Sequence, residues 1–191
     1  MADMMSAEAF YQLVTARQSD RAYDTDRAVE PEKVQRVLEA ARLSPSACNG
    51  QPWHFIVVTE TKLREDIARS MVGLGFNKWA IQAPVLVLIV EEATKTTSLL
   101  GGLVKHNHYP HIDLGIAAAH LTLAAEAEGL GSCMIGYFDE KKIKRMVGVP
   151  HHKRLPLIVT LGYAAKEKRL KNTRIKTQVK AYNKVRIKGG N

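Results

Sequence analysis

The sequence predicts a single domain that mixes helices and strands, with helices in the majority. Three observations carry that expectation. Val34, Val37, Leu38 and Ala41 fall at i, i+3, i+4 and i+7, one buried helical face. Val85 to Val90 is apolar at every position, as in a strand covered on both faces. Pro110 to Glu128 is long and apolar almost all round, a pattern that belongs in a core or a subunit interface. The chain has 191 residues, within reach of one domain. A chain of this length buries about 70% of its unfolded surface, so it needs no disulfide or metal staple.

The elements follow in order. Ser6 to Arg17 reads as a first helix with Ser6 as N-cap. The polar stretch Arg17 to Arg27 reads as irregular. Pro31 suits the first position of the second helix, which ends at the turn-rich loop Ser44–Pro52. Trp53 to Thr59 is a strand, Thr61 to Met71 a helix, and Val85 to Val90 a strand opened by Pro84. The long helix Pro110–Glu128 stops at Gly129, and its Gly115, Ala117, Ala118 and Ala119 permit close approach of another helix. Gly131 to Tyr137 is a short strand or extended turn. Asp139 caps a helix over Glu140–Val147, and Leu155 to Gly162 is the last clear strand.

Composition narrows the function. The formal charge is +9, from 28 Lys+Arg against 19 Asp+Glu. Ten basic residues and one acid lie between Lys166 and Lys188, so residues 166–191 form a basic tail after a domain spanning 1–165. No aromatic-rich RNA-binding pattern or zinc-finger spacing accompanies the charge, so no nucleic-acid partner is expected. The apolar run Leu114–Ala125 is interrupted and too short to span a bilayer, and the N-terminus lacks a signal pattern. Cys48 and Cys133 have no redox or metal spacing and read as reduced thiols, which together with the absence of a signal pattern points to the cytoplasm. His106, His108 and His111 crowd one segment without zinc-protease spacing or acids, so no metal site is expected. There is no G-x-G-x-x-G after a strand, no Walker loop and no G-x-S-x-G elbow.

Two stretches carry candidate chemistry. Arg17, Ser19 and Arg21 alternate, and on extended backbone all three point to one side. Two guanidinium forks and a hydroxyl on one face match a phosphate monoester. The loop Ser44–Phe55 holds two prolines that stiffen it, together with Asn49 and Gln51, whose amides both donate and accept hydrogen bonds. A rigid polar loop entering a buried strand suits a flat, hydrogen-bonding ligand. Asn77 offers the same amide chemistry ahead of the second strand, and Met134–Tyr137 follows a glycine-rich turn where backbone can approach a ligand.

Together these residues resemble the FMN-dependent nitroreductase family, from the first helix to about Lys176. Arg17-Gln18-Ser19-Asp20-Arg21 is similar to that family's opening R-x-S-x-R motif. Pro45-Ser46-Ala47-Cys48-Asn49-Gly50-Gln51-Pro52-Trp53 resembles its P-S-x-x-N-x-Q-P-W loop. Asp113-Leu114-Gly115 through Gly129-Leu130-Gly131-Ser132 resembles its central helix and glycine turn, and Leu161-Gly162-Tyr163 its late strand. The resemblance implies an α+β fold, a mixed central sheet flanked by helices, in an intertwined homodimer with two FMN sites at the interface. Arg17, Ser19 and Arg21 would hold the flavin from one subunit, with Arg174 at the phosphate. Pro45, Ser46, Asn49 and Gln51 would come from the other. Asn77 would meet the ring, and Met134, Ile135, Gly136 and Tyr137 would lie near N5 through backbone groups. The basic tail would wrap the partner. His106, His108 and Tyr109 are candidates for a lid.

The implied activity is hydride transfer from NADH or NADPH through flavin N5 to a nitroaromatic or quinone in a ping-pong cycle, with the redox chemistry belonging to the cofactor and no catalytic side chain required. The alternatives are a flavin-binding or storage protein without turnover, a family branch with another flavin-dependent activity, and a basic nucleic-acid-binding protein.

Overall fold

The structure, a computed structural model, describes residues 6–73, 75–93 and 108–169. Its helices are α1 (Ala7–Ala16), α2 (Pro31–Arg42), α3 (Thr61–Ser70), α4 (Tyr109–Ala127) and α5 (Glu140–Met146). Its strands are β1 (Trp53–Val58), β2 (Val85–Glu91), β3 (Gly131–Ile135) and β4 (Leu157–Gly162). Short 3₁₀ turns at Ala47–Asn49 and Lys78–Gln82 lead into β1 and β2. The caps form as the sequence predicts: Ser6 Oγ accepts from the Ala9 N–H at 3.1 Å, and Asp139 Oδ1 accepts from the Lys142 N–H at 2.9 Å. Gly129 ends α4 with φ of 74°, a left-handed conformation that costs glycine little.

The sheet order is β1-β2-β4-β3. The mixed sheet expected from the resemblance takes a narrower form here. All three strand ladders are antiparallel, and the parallel pairing among the described residues is the single bridge between Ser19 and Ser132 at the β3 edge. The stretch Arg17–Arg27, expected to be irregular, thus contributes a bridge to the sheet.

Side-chain alternation along β2 explains its unbroken apolarity. Val85, Val87 and Ile89 join one core with Val34, Val37 and Ala41 of α2 and Leu114, Ala117, Ala118 and Leu121 of α4. Leu86, Leu88 and Val90 point the other way, into a second core with Ile67 and Ala68 of α3, Ile143 of α5, and Cys133 and Ile135 of β3. Helices therefore cover both faces of the sheet. The buried residues of α4 lie on one side, whereas Ile112 and Gly115 are exposed and Ile116 and Leu123 only half-buried. Helix α1 buries no residue and exposes Phe10 and Tyr11. Among the described residues no helix is long and apolar enough to cross a membrane.

Candidate functional site

Helix α1 ends at Ala16, and the chain then runs extended beside β3. The Asp20 N–H donates to the Ser132 carbonyl at 2.9 Å. The Tyr23 hydroxyl donates to the Asp20 carbonyl at 3.1 Å and lies 2.6 Å from Thr160 Oγ1, which also reaches the Cys133 carbonyl at 3.2 Å. Burial pushes the Tyr23 hydroxyl far above its usual range, so it stays a neutral bonding group. These contacts pin the segment to the sheet.

Alternation sorts its side chains. Gln18 and Asp20 bond each other, Nε2 to Oδ1 at 2.9 Å, over Gly131, where a Cβ would stand 2.8 Å from Asp20 Oδ2. Arg17, Ser19 and Arg21 all act on the Cys133 thiol. Burial pushes this thiol up, while the Arg21 charge, the Ser19 hydroxyl and the Arg17 charge pull it down. Neither the Arg17 nor the Arg21 guanidinium has an ion-pair partner among the described residues. The start of the basic tail packs nearby on the same chain. Arg169 N–H donates to Gln18 Oε1 at 3.2 Å, and Lys168 Nζ lies 3.6 Å from Asp20 Oδ2. A pocket of about 310 Å³ beside Arg21 is also lined by Lys166 and Arg169.

The loop before β1 is held from within and from α4. Asp113, buried at 3% exposure, accepts from the Ala47 N–H at 3.1 Å. Ser46 Oγ accepts from the Gln51 N–H at 3.0 Å, and Gln51 Nε2 donates to Asn49 Oδ1 at 2.7 Å. Pro45, Asn49 and Gln51 are exposed and Ser46 half-buried. Cys48, Asn49 and Gln51 have φ of 51°, 51° and 47°. Three non-glycine residues in the left-handed region cost on the order of 1 kcal/mol or more each, and such strain clusters at ligand sites.

Asn77, at φ 60°, is half-buried, and its Nδ2 donates to the carbonyls of Met71 and Tyr137 at 3.2 Å each. It is thereby tied to Met134–Tyr137. Within that segment Ile135 points into the core, Gly136 is exposed, and the Met134 and Tyr137 side chains are exposed.

The structure thus gathers Arg17, Ser19 and Arg21 at β3, and Asn77 with Met134–Tyr137 just beyond it. Pro45, Ser46, Asn49 and Gln51 stand apart, because their loop feeds β1 at the opposite edge of the sheet. Three strand spacings, roughly 14 Å, separate the two edges. Arg174 and His106 lie outside the described residues. Asp113, Tyr23 and Thr160 did not stand out as positioning residues, because their partners are 66 and 137 positions away in sequence. His108 and His111 meet Glu91, an acid that sequence spacing did not connect to them.

The donor set fits FMN. Two guanidiniums without ion-pair partners among the described residues, and a hydroxyl beside them, offer charge-assisted hydrogen bonds to a phosphate, and exposed backbone at Gly136 leaves room for a flat ring to approach.

The chain is similar to known proteins. Over residues 14–163 the sequence matches the nitroreductase family. An oxygen-insensitive NADPH nitroreductase of Helicobacter acinonychis is 27% identical over 194 residues, covering 85% of this chain and 91% of that protein. An NADH dehydrogenase of Thermus thermophilus is 28% identical over 177 residues, covering 79% and 84%. The solved structure of an FMN-dependent nitroreductase from Clostridium difficile superposes with a TM-score of 0.73 at 27% identity, covering 91% of this chain and 98% of the other. With the strand order, the Arg-Ser-Arg segment and the strained proline loop in place, the chain belongs to the nitroreductase family.

Proposed function

We propose that the chain is an FMN-dependent oxidoreductase of the cytoplasm, a homodimer that uses NADH or NADPH to reduce a small aromatic acceptor such as a nitroaromatic or a quinone. The observation that carries this reading is the pair of guanidiniums, Arg17 and Arg21, that converge with Ser19 and have no ion-pair partner among the described residues. FMN, when bound, would supply the hydride-transfer chemistry that links the nicotinamide to the acceptor.

The chain's own groups bind and orient. Arg17 and Arg21 neutralise a phosphate of about −1.5 to −2 charge, and Ser19 adds a hydroxyl. Asn77 is spent as a donor on two carbonyls, which leaves its Oδ1 as the acceptor it can offer a ring N–H. Met134–Tyr137 presents backbone, since Ile135 is committed to the core. Arg174 would add a further cation at the phosphate. Pro45, Ser46, Asn49 and Gln51 serve the site of a second copy, because on their own chain they stand at the far edge of the sheet. The exposed apolar residues Phe10, Tyr11, Val57 and Ile112 support such a partner. The preorganised constellation contributes by positioning donor and acceptor in turn.

An anaerobic titration of the purified protein tests the reading. One equivalent of NADH or NADPH is expected to bleach the visible flavin band before any acceptor is added, and a quinone or nitroaromatic is expected to restore it. A colourless protein contradicts the cofactor, and a flavin band indifferent to both nucleotides favours a storage role.

A further inference from the structure

We infer that Glu91, His108 and His111 form a binding site for a divalent transition-metal ion of the zinc, cobalt and nickel class. Glu91 closes β2, and His108 caps α4 one turn before His111, so the site ties the end of a central strand to the start of the longest described helix. The His111 Nε2 lies 3.2 Å from Glu91 Oε2, and the His108 Nε2 lies 3.6 Å from Glu91 Oε1. All three ligand atoms fall within 4.8 Å of one another. Two ligands bound about 2.1 Å from one ion across a tetrahedral angle stand about 3.4 Å apart, and the two N···O separations, 3.2 and 3.6 Å, bracket that value.

A plain histidine–carboxylate hydrogen bond accounts less well for the arrangement. Glu91 Oε2 is buried and makes no hydrogen bond among the described residues, although the His111 nitrogen is 3.2 Å away. The two atoms are thus within contact distance without hydrogen-bond geometry between them. A buried carboxylate oxygen without a hydrogen-bond partner is costly, and a shared cation satisfies it. The two imidazole rings lie side by side, centroids 4.0 Å apart, with both Nε2 atoms turned to the same carboxylate. The histidine side chains are more than half exposed, which gives an ion a route in and leaves coordination positions for water. Two imidazoles and one carboxylate, with no thiolate, favour borderline ions over calcium or magnesium. None of the residues assigned to the flavin takes part, so the site stands or falls independently of the FMN reading.

Calorimetric titration of tag-free, chelator-dialysed, full-length protein with zinc chloride tests the site. Saturation at one ion per chain is expected, with the melting temperature raised by zinc. The double variant H108A/H111A and the isosteric E91Q are each expected to lose more than about tenfold in affinity and to lose the zinc-induced shift in melting temperature. Both should melt like the wild type in chelator. The neighbouring exposed pair His151 and His152 provides the control, and H151A/H152A should bind as the wild type does. Absence of saturable binding to the wild type overturns the site, as does wild-type affinity in H108A/H111A or E91Q, or loss of binding in H151A/H152A.

Discussion

At the scale of single residues, the candidate site is distinguished by cations without ion-pair partners among the described residues. Arg36 and Arg42 pair with Glu128 and Glu39, and Arg69 with Glu65 and Asp66. Arg17 and Arg21 have no such partners among the described residues, and the charge of each lowers the pKa of the same thiol, Cys133. A hydrogen bond to a charged group contributes about 1.5–3 kcal/mol. Removing both in R17A/R21A is therefore expected to weaken FMN binding about 100-fold or more, read by equilibrium dialysis against free flavin, with melting temperature little changed. Wild-type retention would move the phosphate elsewhere. The alternation that aligns these residues was legible in the sequence, because extended backbone has a period of two. The supports beneath them were not. The Tyr23–Thr160 and Asp113–Ala47 bonds join residues 137 and 66 positions apart, so no local pattern announces them.

At the scale of elements, local signals were read well because each has a local cause. Ser6 and Asp139 cap helices through bonds three residues away, and β2 is uniformly apolar because helices cover both its faces. Strand direction and register depend on partners distant in sequence, so the antiparallel ladders appeared only in the structure. The carboxylate of Glu140 shows how such elements are joined. It sits at the start of α5, accepts from the Leu155 N–H at 2.8 Å ahead of β4, and pairs with Arg154 at 3.1 Å. Burial pulls its pKa upward, but the Arg154 bond and the Leu155 N–H outweigh that and hold it below the ordinary carboxylate range. A depressed folded-state pKa gives stability that is present above the unfolded value near 4.5 and is lost as pH falls through the folded value. The variant E140Q is accordingly expected to be about 1 kcal/mol less stable at pH 7, with the difference shrinking as pH falls below the ordinary carboxylate range, by urea denaturation at neutral and progressively acid pH. A constant difference across that range would contradict this role.

At the scale of the whole molecule, the two halves of the candidate site occupy opposite edges of one sheet. Sequence order alone could not reveal this, because β1 and β3 are separated by the insertion of β2 and β4 between them. In the proposed dimer the separation would give the strained, polar loop a role: its three left-handed residues would be held at a position that serves a neighbour. The same dimer would cover apolar surface that the half-exposed face of α4 and helix α1 leave exposed on one copy. The most direct measurement is FMN content in mixed dimers, made by co-expressing R17A/R21A with S46A/N49A under different affinity tags. Each parent homodimer is expected to lose FMN, while the purified heterodimer regains one intact site and holds one FMN per dimer. A heterodimer as empty as its parents would place both halves of the site on one chain and contradict the account.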